Sequence, residues 1–208
     1  MKNIETPLRG LYAVSDDMLT PRESVLAQAE AALKGGAKLF QLRDKRHSDE
    51  ELTPLAGALR RLCERYEAKL IINDRLELAK IADGVHIGAS DRALWAARAA
   101  LGGEAIIGVS CYGDLNRAKT AQNGGANYVS FGACFSSATK PNAAVIDRAI
   151  FGEAKKFLRI PVCAIGGVTT ENAARLIALG ADMLAVVSDL WRAGDPQKQA
   201  KAFAALWL

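Results

Sequence analysis

Short apolar runs alternate with longer segments of helical periodicity along the whole chain. The runs are nearly continuous in apolar residues, which is typical of strands that a parallel sheet buries on both faces. They predict eight strands, at Leu11–Val14, Leu39–Leu42, Leu70–Ile72, Val85–Ile87, Ile106–Val109, Tyr128–Phe131, Val162–Ile165 and Leu184–Val187. Apolar positions three and four residues apart predict helices between them, at Ser24–Leu33, Glu51–Tyr66, Asp91–Leu101 and Glu171–Leu179. The spacing between strands adds a short helix near Leu76–Ile81 and, after a long loop, a helix at Asp147–Phe157.

Strands that alternate with helices pair in parallel through right-handed crossovers, and eight of them close naturally into an α/β (β/α)8 TIM barrel. An open, doubly wound sheet has the same alternation, but eight units are hard to lay flat in so short a chain. The 208 residues give each unit about 26, close to one strand, one helix and two short loops. We therefore expect a single barrel domain over residues 1–208.

Composition narrows the class of protein. The 27 basic and 23 acidic residues give a net charge of +4, without a run of five or six basic residues, so nucleic acid is a poor candidate partner. No stretch approaches 18 apolar residues, and the first ten residues do not resemble a signal peptide. Four cysteines lack disulfide or metal-ligand spacing. We expect a cytoplasmic protein with reduced thiols, no membrane partner and small anionic ligands.

The chemistry of such a barrel is expected at the carboxyl ends of its strands. Strands seven and eight end in Gly166-Gly167 and Val187-Ser188, where glycines and backbone N–H groups favour a phosphate site. Gly167 would let the backbone reach the phosphate, and the Ser188 N–H would bind it. The alternative is a pair of glycines that serves only a tight turn.

A second anion site is predicted where charged residues follow other strands. Arg43, Lys45 and Lys140 are its cations, and Asp74 and Asp91 follow adjacent strands three and four. Two carboxylates without a Cys or His partner favour Mg²⁺, which takes its remaining ligands from phosphate oxygens and water. Together these residues predict a diphosphate site. The alternatives are a helix N-cap for Asp91 and a solvent-facing loop acid for Asp74.

Nucleophilic catalysis by a protein side chain is not expected. His86 lies within a strand and is interpreted as a packed or hydrogen-bonded core residue, and His47 as a surface residue. Neither histidine stands beside a strand-end nucleophile, so a triad is not predicted. Cys111 has no basic partner and is interpreted as a buried thiol.

These strand-end residues together resemble the thiamine phosphate synthase family over about Leu11 to Phe203. The resemblance rests on seven motifs in the same order, namely Gln41-Leu42-Arg43-Asp44-Lys45, Asn73-Asp74, His86-Ile87-Gly88 with Asp91, Gly108-Val109-Ser110, Tyr128–Gly132 with Thr139-Lys140, Ile165-Gly166-Gly167 and Val187-Ser188. The family is a (β/α)8 barrel that joins 4-amino-2-methyl-5-(diphosphooxymethyl)pyrimidine to a thiazole phosphate, releasing diphosphate. The resemblance therefore implies a transferase of thiamine biosynthesis.

The resemblance also implies a role for each matched residue. Mg²⁺ would lie on Asp74 and Asp91. Gln41, Arg43, Lys45 and Asn73 would hold the pyrimidine diphosphate, with Ser110 and Lys140 nearby. Arg43, Lys45, Lys140 and Ser110 would be catalytic. The thiazole phosphate, carboxylated or not, would be held by Ser137, Thr139, Gly167, Val187 and Ser188.

One departure from the family pattern lies in the loop after strand six. Ser136-Ser137 stands where the family commonly has Pro-Thr, so we expect weaker thiazole-phosphate affinity with the chemistry retained. Three other functions stay open as alternatives: a thiazole tautomerase-like barrel, a sugar-phosphate isomerase and a non-catalytic phosphate-binding barrel. The sequence leaves the oligomeric state open, with a homodimer as one option.

Overall fold

Eight parallel strands close into a barrel in the order β1 to β8, with β8 paired to β1. The computed structural model describes residues 8–88, 90–137 and 144–207, except for the side chains of Asp91 and Arg92. The strands are β1 (Gly10–Val14), β2 (Leu39–Leu42), β3 (Lys69–Asn73), β4 (Gly84–Ile87), β5 (Ile106–Tyr112), β6 (Tyr128–Phe131), β7 (Val162–Ile165) and β8 (Met183–Val186). The predicted TIM barrel is confirmed.

Helices surround the barrel. They are α1 (Val25–Lys34), α2 (Asp49–Arg65), α3 (Leu76–Ala79), α4 (Asp91–Leu101), α5 (Leu115–Asn123), α6 (Ile150–Phe157), α7 (Thr170–Ala178), α8 (Ser188–Trp191) and α9 (Pro196–Ala204), with a 3-10 turn at Ala205–Trp207. None of the helices in the described ranges is long and apolar enough to cross a membrane.

The core has two layers, as expected for strands buried on both faces. A large outer layer lies between the strands and the helices and contains Phe40, Leu59 and Phe151. A smaller inner layer fills the barrel and contains Tyr12 and Tyr128 among ten buried residues. The inner layer matters for function because it supports the residues at the carboxyl ends of the strands.

Some predicted boundaries were wrong by a few residues. Helix α6 begins at Ile150 rather than Asp147, because the Asp147 carboxylate accepts a hydrogen bond from the Ala149 N–H and stabilises a turn there. Helix α3 ends at Ala79, before Ile81. Strand β8 ends at Val186, and Val187 is the N-cap of α8, a four-residue helix that the periodicity did not predict.

Candidate active site

A cavity of about 1030 Å³ opens at the carboxyl ends of the strands. It brings together most of the side chains predicted for the two anion sites, namely Gln41, Arg43, Asn73, Ser110, Ser137, Gly167, Val187 and Ser188. Lys45 and Asp74 are exposed and follow the ends of β2 and β3, just outside the cavity lining. Thr139, Lys140 and the side chain of Asp91 lie outside the described residues.

Arg43 is held at the end of β2 by residues that follow β1. The Arg43 N–H donates to Ser15 Oγ at 2.7 Å, and Ser15 Oγ donates to the Arg43 carbonyl oxygen at 3.1 Å. The guanidinium lies 3.9 Å from the Asp16 carboxylate. Sequence reasoning missed Ser15 and Asp16, although both directly follow a predicted strand. The loop that carries Arg43 is thus fixed through its backbone.

Arg75 organises the loop between β2 and α2, which carries Lys45. Its guanidinium donates to the carbonyl oxygens of Asp44 at 3.0 Å and His47 at 2.7 Å, and it pairs with the Asp49 carboxylate. Helix α2 begins there with a capping box, in which Ser48 and Glu51 satisfy each other's backbone N–H groups. Arg75 thus connects the end of β3 to this loop, a role that was not predicted.

The end of β3 has an unusual backbone at Asp74. Its φ of 60° lies in the left-handed region, which Asp tolerates better than most residues. The Asp74 carboxylate accepts a hydrogen bond of 2.7 Å from Asn73 Nδ2, and its N–H donates to the His86 carbonyl oxygen. The N-cap of α4 is Ser90, so Asp91 occupies the first helical position and the N-cap alternative was wrong.

Five side chains form a hydrogen-bonded network at the base of the cavity, which we call the floor network. Gln41 Nε2 lies 2.5 Å from the Tyr12 hydroxyl, and the Tyr12 and Tyr128 hydroxyls are 2.9 Å apart. His86 Nδ1 lies 2.9 Å from the Tyr128 hydroxyl, and His86 Nε2 lies 2.9 Å from Ser110 Oγ. The network therefore joins five different strands and links two residues that were predicted to hold the pyrimidine substrate.

Burial keeps the floor network uncharged. It lowers the pKa of His86 to about 4, because desolvation penalises the imidazolium form. Burial also raises the pKa of the Tyr12 and Tyr128 hydroxyls above the usual range. A Cβ on Gly108 would overlap the Tyr128 ring, so glycine at this position makes room for it. The interpretation of His86 as a hydrogen-bonded core residue is confirmed.

The opposite end of the cavity is built from backbone. Gly167 has a φ of +63°, and a Cβ there would stand 2.6 Å from the Ser136 carbonyl oxygen and 2.8 Å from Phe135 Cβ. Asn172 Nδ2 donates to the Gly167 carbonyl oxygen at 2.9 Å. The turn and the close approach of the neighbouring loop account for glycine at this position.

Two side chains hold the segments around this end. Arg148 stacks on Phe135, with its guanidinium carbon 4.8 Å from the ring centre, and donates to the Cys134 carbonyl oxygen at 2.9 Å. Trp191 Nε1 donates to the Val14 carbonyl oxygen at 2.6 Å and fixes α8, which begins at Ser188, against β1. The contact of Trp191 with Val14 joins residues 177 positions apart, and neither set of contacts was predicted.

No strong protein nucleophile faces the cavity among the described residues. Cys163 is in the cavity lining, but it is fully buried and burial raises the pKa of its thiol well above the usual range. Cys111 is fully buried, and burial raises the pKa of its thiol to about 12, so the thiolate is scarce at neutral pH. The four cysteines are buried and form no disulfide with one another, as the sequence predicted. The cavity thus offers binding, positioning and charge rather than covalent catalysis.

Comparison with known proteins decides the family. A family model described as thiamine monophosphate synthase matches residues 11–190. The chain belongs to this family. It is 50% identical over 202 residues to the thiamine-phosphate synthase of Thioalkalivibrio sulfidiphilus, with 96% of each chain covered. It is 47% identical over 203 residues to that of Methylobacillus flagellatus, with 97% of this chain and 96% of that one covered. The family and the transferase class predicted from the sequence are confirmed.

A solved structure agrees with the thiamine monophosphate synthase assignment. The thiamine phosphate pyrophosphorylase of Pyrococcus furiosus superposes with a TM-score of 0.85 at 31% identity, over 95% of this chain and 94% of that one. A geranylgeranylglyceryl phosphate synthase from Thermoplasma acidophilum superposes with a TM-score of 0.72 over 95% of this chain and 92% of that one. Its 18% identity shows a shared barrel fold alone.

Proposed function

We propose that this member of the thiamine monophosphate synthase family joins 4-amino-2-methyl-5-(diphosphooxymethyl)pyrimidine to a thiazole phosphate within the cavity. The observation that supports the proposal is that one cavity has two ends of different chemistry. Arg43 and the floor network lie at the first end, and Gly167 and Ser188 lie at the second. Two phosphorylated substrates would each be anchored at one end, with their rings meeting between them.

The first end would bind the diphosphate through charge. The residues fit Mg²⁺, because the exposed Asp74 carboxylate and Asp91, at the start of α4, supply the hard oxygen donors that it prefers, from neighbouring strands β3 and β4. Bound Mg²⁺ would neutralise charge that develops on the departing diphosphate. Arg43, Lys45 and Lys140 would share that role, and Gln41, Asn73 and Ser110 would hold the pyrimidine.

The reaction needs no covalent bond to the protein. The bond between the pyrimidine methylene carbon and the diphosphate oxygen breaks, and its electron pair leaves with the diphosphate. The amino group of the ring stabilises the methylene cation that remains, and the thiazole nitrogen then uses its lone pair to form the new carbon–nitrogen bond. Holding both substrates in register contributes several kcal/mol in such reactions. The buried, neutral His86 and the inert Cys111 thiol are consistent with this route.

The second end would bind the thiazole phosphate through backbone and hydroxyl groups. Gly167, Val187 and Ser188 lie at the ends of β7 and β8, and Ser137 lies in the adjoining loop, all four in the cavity lining. Thr139 would contribute from the same loop. Composition continues to predict one domain over residues 1–208, a cytoplasmic location and no nucleic-acid or membrane partner.

A turnover assay tests the proposed function. Purified protein with Mg²⁺ should release diphosphate and form thiamine phosphate only when both substrates are present. Omitting either substrate, or chelating the metal, should abolish both products. Absence of thiamine phosphate with both substrates and Mg²⁺ would reject the proposal. Reactions with the plain and the carboxylated thiazole phosphate, run in parallel, identify the preferred form.

A further inference from the structure

The orientation of the Gln41 amide sets the direction of hydrogen bonding in the floor network. Gln41 Nε2 donates to the Tyr12 oxygen, so the single Tyr12 proton is directed to the Tyr128 oxygen. The Tyr128 hydroxyl then donates to His86 Nδ1. A neutral imidazole that accepts at Nδ1 carries its proton on Nε2, and this N–H donates to Ser110 Oγ.

Both ends of the floor network face the cavity. Because Gln41 spends an amide N–H on Tyr12, its Oε1 is left as an acceptor, and no donor among the described residues reaches it. Because Ser110 Oγ accepts from His86, its own proton is available to a ligand. The opposite direction of hydrogen bonding would exchange these properties, with Ser110 donating to His86 and the Gln41 amide turned over.

We propose that the floor network is polarised from Gln41 to Ser110, so that it presents an acceptor at Gln41 and a donor at Ser110. Tyr12, Tyr128 and His86 are then positioning residues that hold this pattern without touching the substrate's reacting atoms. The pattern fits a heteroaromatic ring with an exocyclic amino donor and a ring-nitrogen acceptor. It disfavours the oxo analogue of the ring, which lacks the amino donor. This inference rests on the proposed function only in assigning Gln41 and Ser110 to the pyrimidine.

Because the network is buried, a change in the direction of its hydrogen bonds has an energetic cost. Tyr12 and Tyr128 are at most 1% exposed, and a buried hydroxyl that loses its hydrogen-bond partner carries a cost in free energy. Tyr128 contributes the one hydroxyl that joins Tyr12 to His86. Removing this hydroxyl separates the Gln41 half of the network from the Ser110 half. The hydrogen bonds of each half can then reverse their direction independently.

The tautomer of His86 reports directly on the direction of hydrogen bonding in the floor network. The chain has two histidines, His47 and His86, so His47→Gln leaves a single imidazole for nitrogen-15 NMR of untagged protein. We expect an unprotonated Nδ1 and a protonated Nε2 at pH 7. Protonation at Nδ1 would overturn the proposed polarity. This measurement needs no substrate and no turnover.

Ligand selectivity tests the positioning role. Inhibition constants of the 4-amino and 4-oxo pyrimidine alcohols, which lack diphosphate, measure ring recognition without the chemical step. We expect the protein to prefer the amino ring by roughly tenfold or more, the difference that one well-formed hydrogen bond supports. Tyr128→Phe should remove most of this preference, and Tyr12→Phe provides a second variant should that one fail to fold.

Matched variants separate positioning from general damage. Tyr66→Phe deletes a hydroxyl that bonds Glu30 away from the cavity, and it should retain the wild-type preference. In a protein that already carries Ser110→Ala, Tyr128→Phe should reduce the preference for the amino ring less than it does alone. The Ser110 hydroxyl, which Tyr128 helps to orient, is already absent there. Unchanged selectivity in a folded Tyr128→Phe protein that still forms thiamine phosphate would overturn the positioning role alone. Absence of thiamine phosphate from the wild type would instead reject the proposed function.

Discussion

The two ends of the cavity are held in place by different means. At the first end, side chains hold other side chains and loops, as in the floor network and the contacts of Arg75. At the second end, near β7 and β8, the backbone itself forms the surface, through the left-handed Gly167 and the start of α8 at Ser188. The first end suits a ligand with high charge and a patterned ring, and the second suits a simple phosphate.

This difference implies different responses to mutation. Side-chain truncation should be severe at the first end, because it removes charge or a buried partner. At the second end, a change of side chain at Gly167, Val187 or Ser188 should matter little unless it alters the backbone.

Loss of the Asp74 carboxylate should have the largest effect. Asp74→Ala and Asp74→Asn should each lower kcat by about a hundredfold to a thousandfold or more, and excess Mg²⁺ should not restore it. Asn tolerates the left-handed backbone at this position better than Ala, so Asp74→Asn isolates the charge. Steady-state kinetics across a Mg²⁺ titration measure the effect.

The matched control for Asp74 is Glu77→Gln, which removes an exposed carboxylate from α3. This variant should retain wild-type kcat. A mild effect of Asp74→Asn, or full rescue by Mg²⁺, would remove Asp74 from the metal site.

Gly167→Ala should have the next largest effect, because it alters the backbone of the second end. The added Cβ collides with Ser136 and Phe135, and the left-handed φ disfavours alanine. We expect a loss of about 2–3 kcal/mol in the free energy of unfolding. We also expect KM for the thiazole phosphate to rise roughly tenfold, since the backbone contacts with a phosphate are displaced.

Denaturant unfolding and substrate-specific KM values measure both consequences of Gly167→Ala. Gly103→Ala is the control, since a Cβ there meets no atom within 4 Å. An equal rise in KM for the pyrimidine diphosphate would contradict the assignment of Gly167 to the second end.

Acid should destabilise the fold through His86. Its pKa is about 4 when folded and ordinarily about 6.5, so the unfolded chain binds the proton more readily between these values. The stability that depends on neutral His86 is therefore fully present above pH 6.5. The free energy of unfolding then falls as the pH drops toward 4. We expect a loss on the order of 2 kcal/mol between pH 7 and 5.

Comparison of denaturant unfolding at these two pH values measures the contribution of His86. His86→Gln cannot titrate, so its unfolding free energy should change less over the same interval. The same pH dependence in His86→Gln and wild type would show that other groups cause it.

Ser188→Ala should have the smallest effect. The proposed contact with the thiazole phosphate is the backbone N–H, which the substitution retains. We expect less than about a threefold rise in KM for that substrate. Ser110→Ala, the same change at the first end, should raise KM for the pyrimidine diphosphate by a larger factor. Equal effects of the two substitutions would contradict the contrast between the ends.

The sequence predicts the barrel well because its signal is local. The nearly continuous apolar runs place all eight strands within a residue or two at most ends, although β5 continues to Tyr112. Helix α8 was missed because four residues are too few to show a period, and its apolar residues follow directly from β8. The start of α6 was misplaced because a side-chain turn at Asp147 leaves no trace in the hydrophobic pattern.

The candidate site was predicted only in part, for a related reason. Gln41, Arg43 and Ser110 were found because each follows or ends a recognisable strand and carries polar chemistry. Tyr12 and Tyr128 look like core aromatics in the sequence, and their contact joins residues 116 positions apart. Such a contact depends on closure of the whole barrel, so no window of sequence contains it.

The pairing of β1 with β8, strengthened by the contact between Trp191 and Val14, has a consequence for synthesis on the ribosome. Strand β1 is synthesised before β8, so one edge of β1 stays unpaired until β8 has been made. A nascent chain that ends before about residue 183 lacks β8, so β1 has no neighbour on that side and the cavity beside Ser15 is incomplete. The cavity is therefore completed only late in synthesis. Until then the partial barrel has exposed strand edges, and chaperones would matter most at this stage.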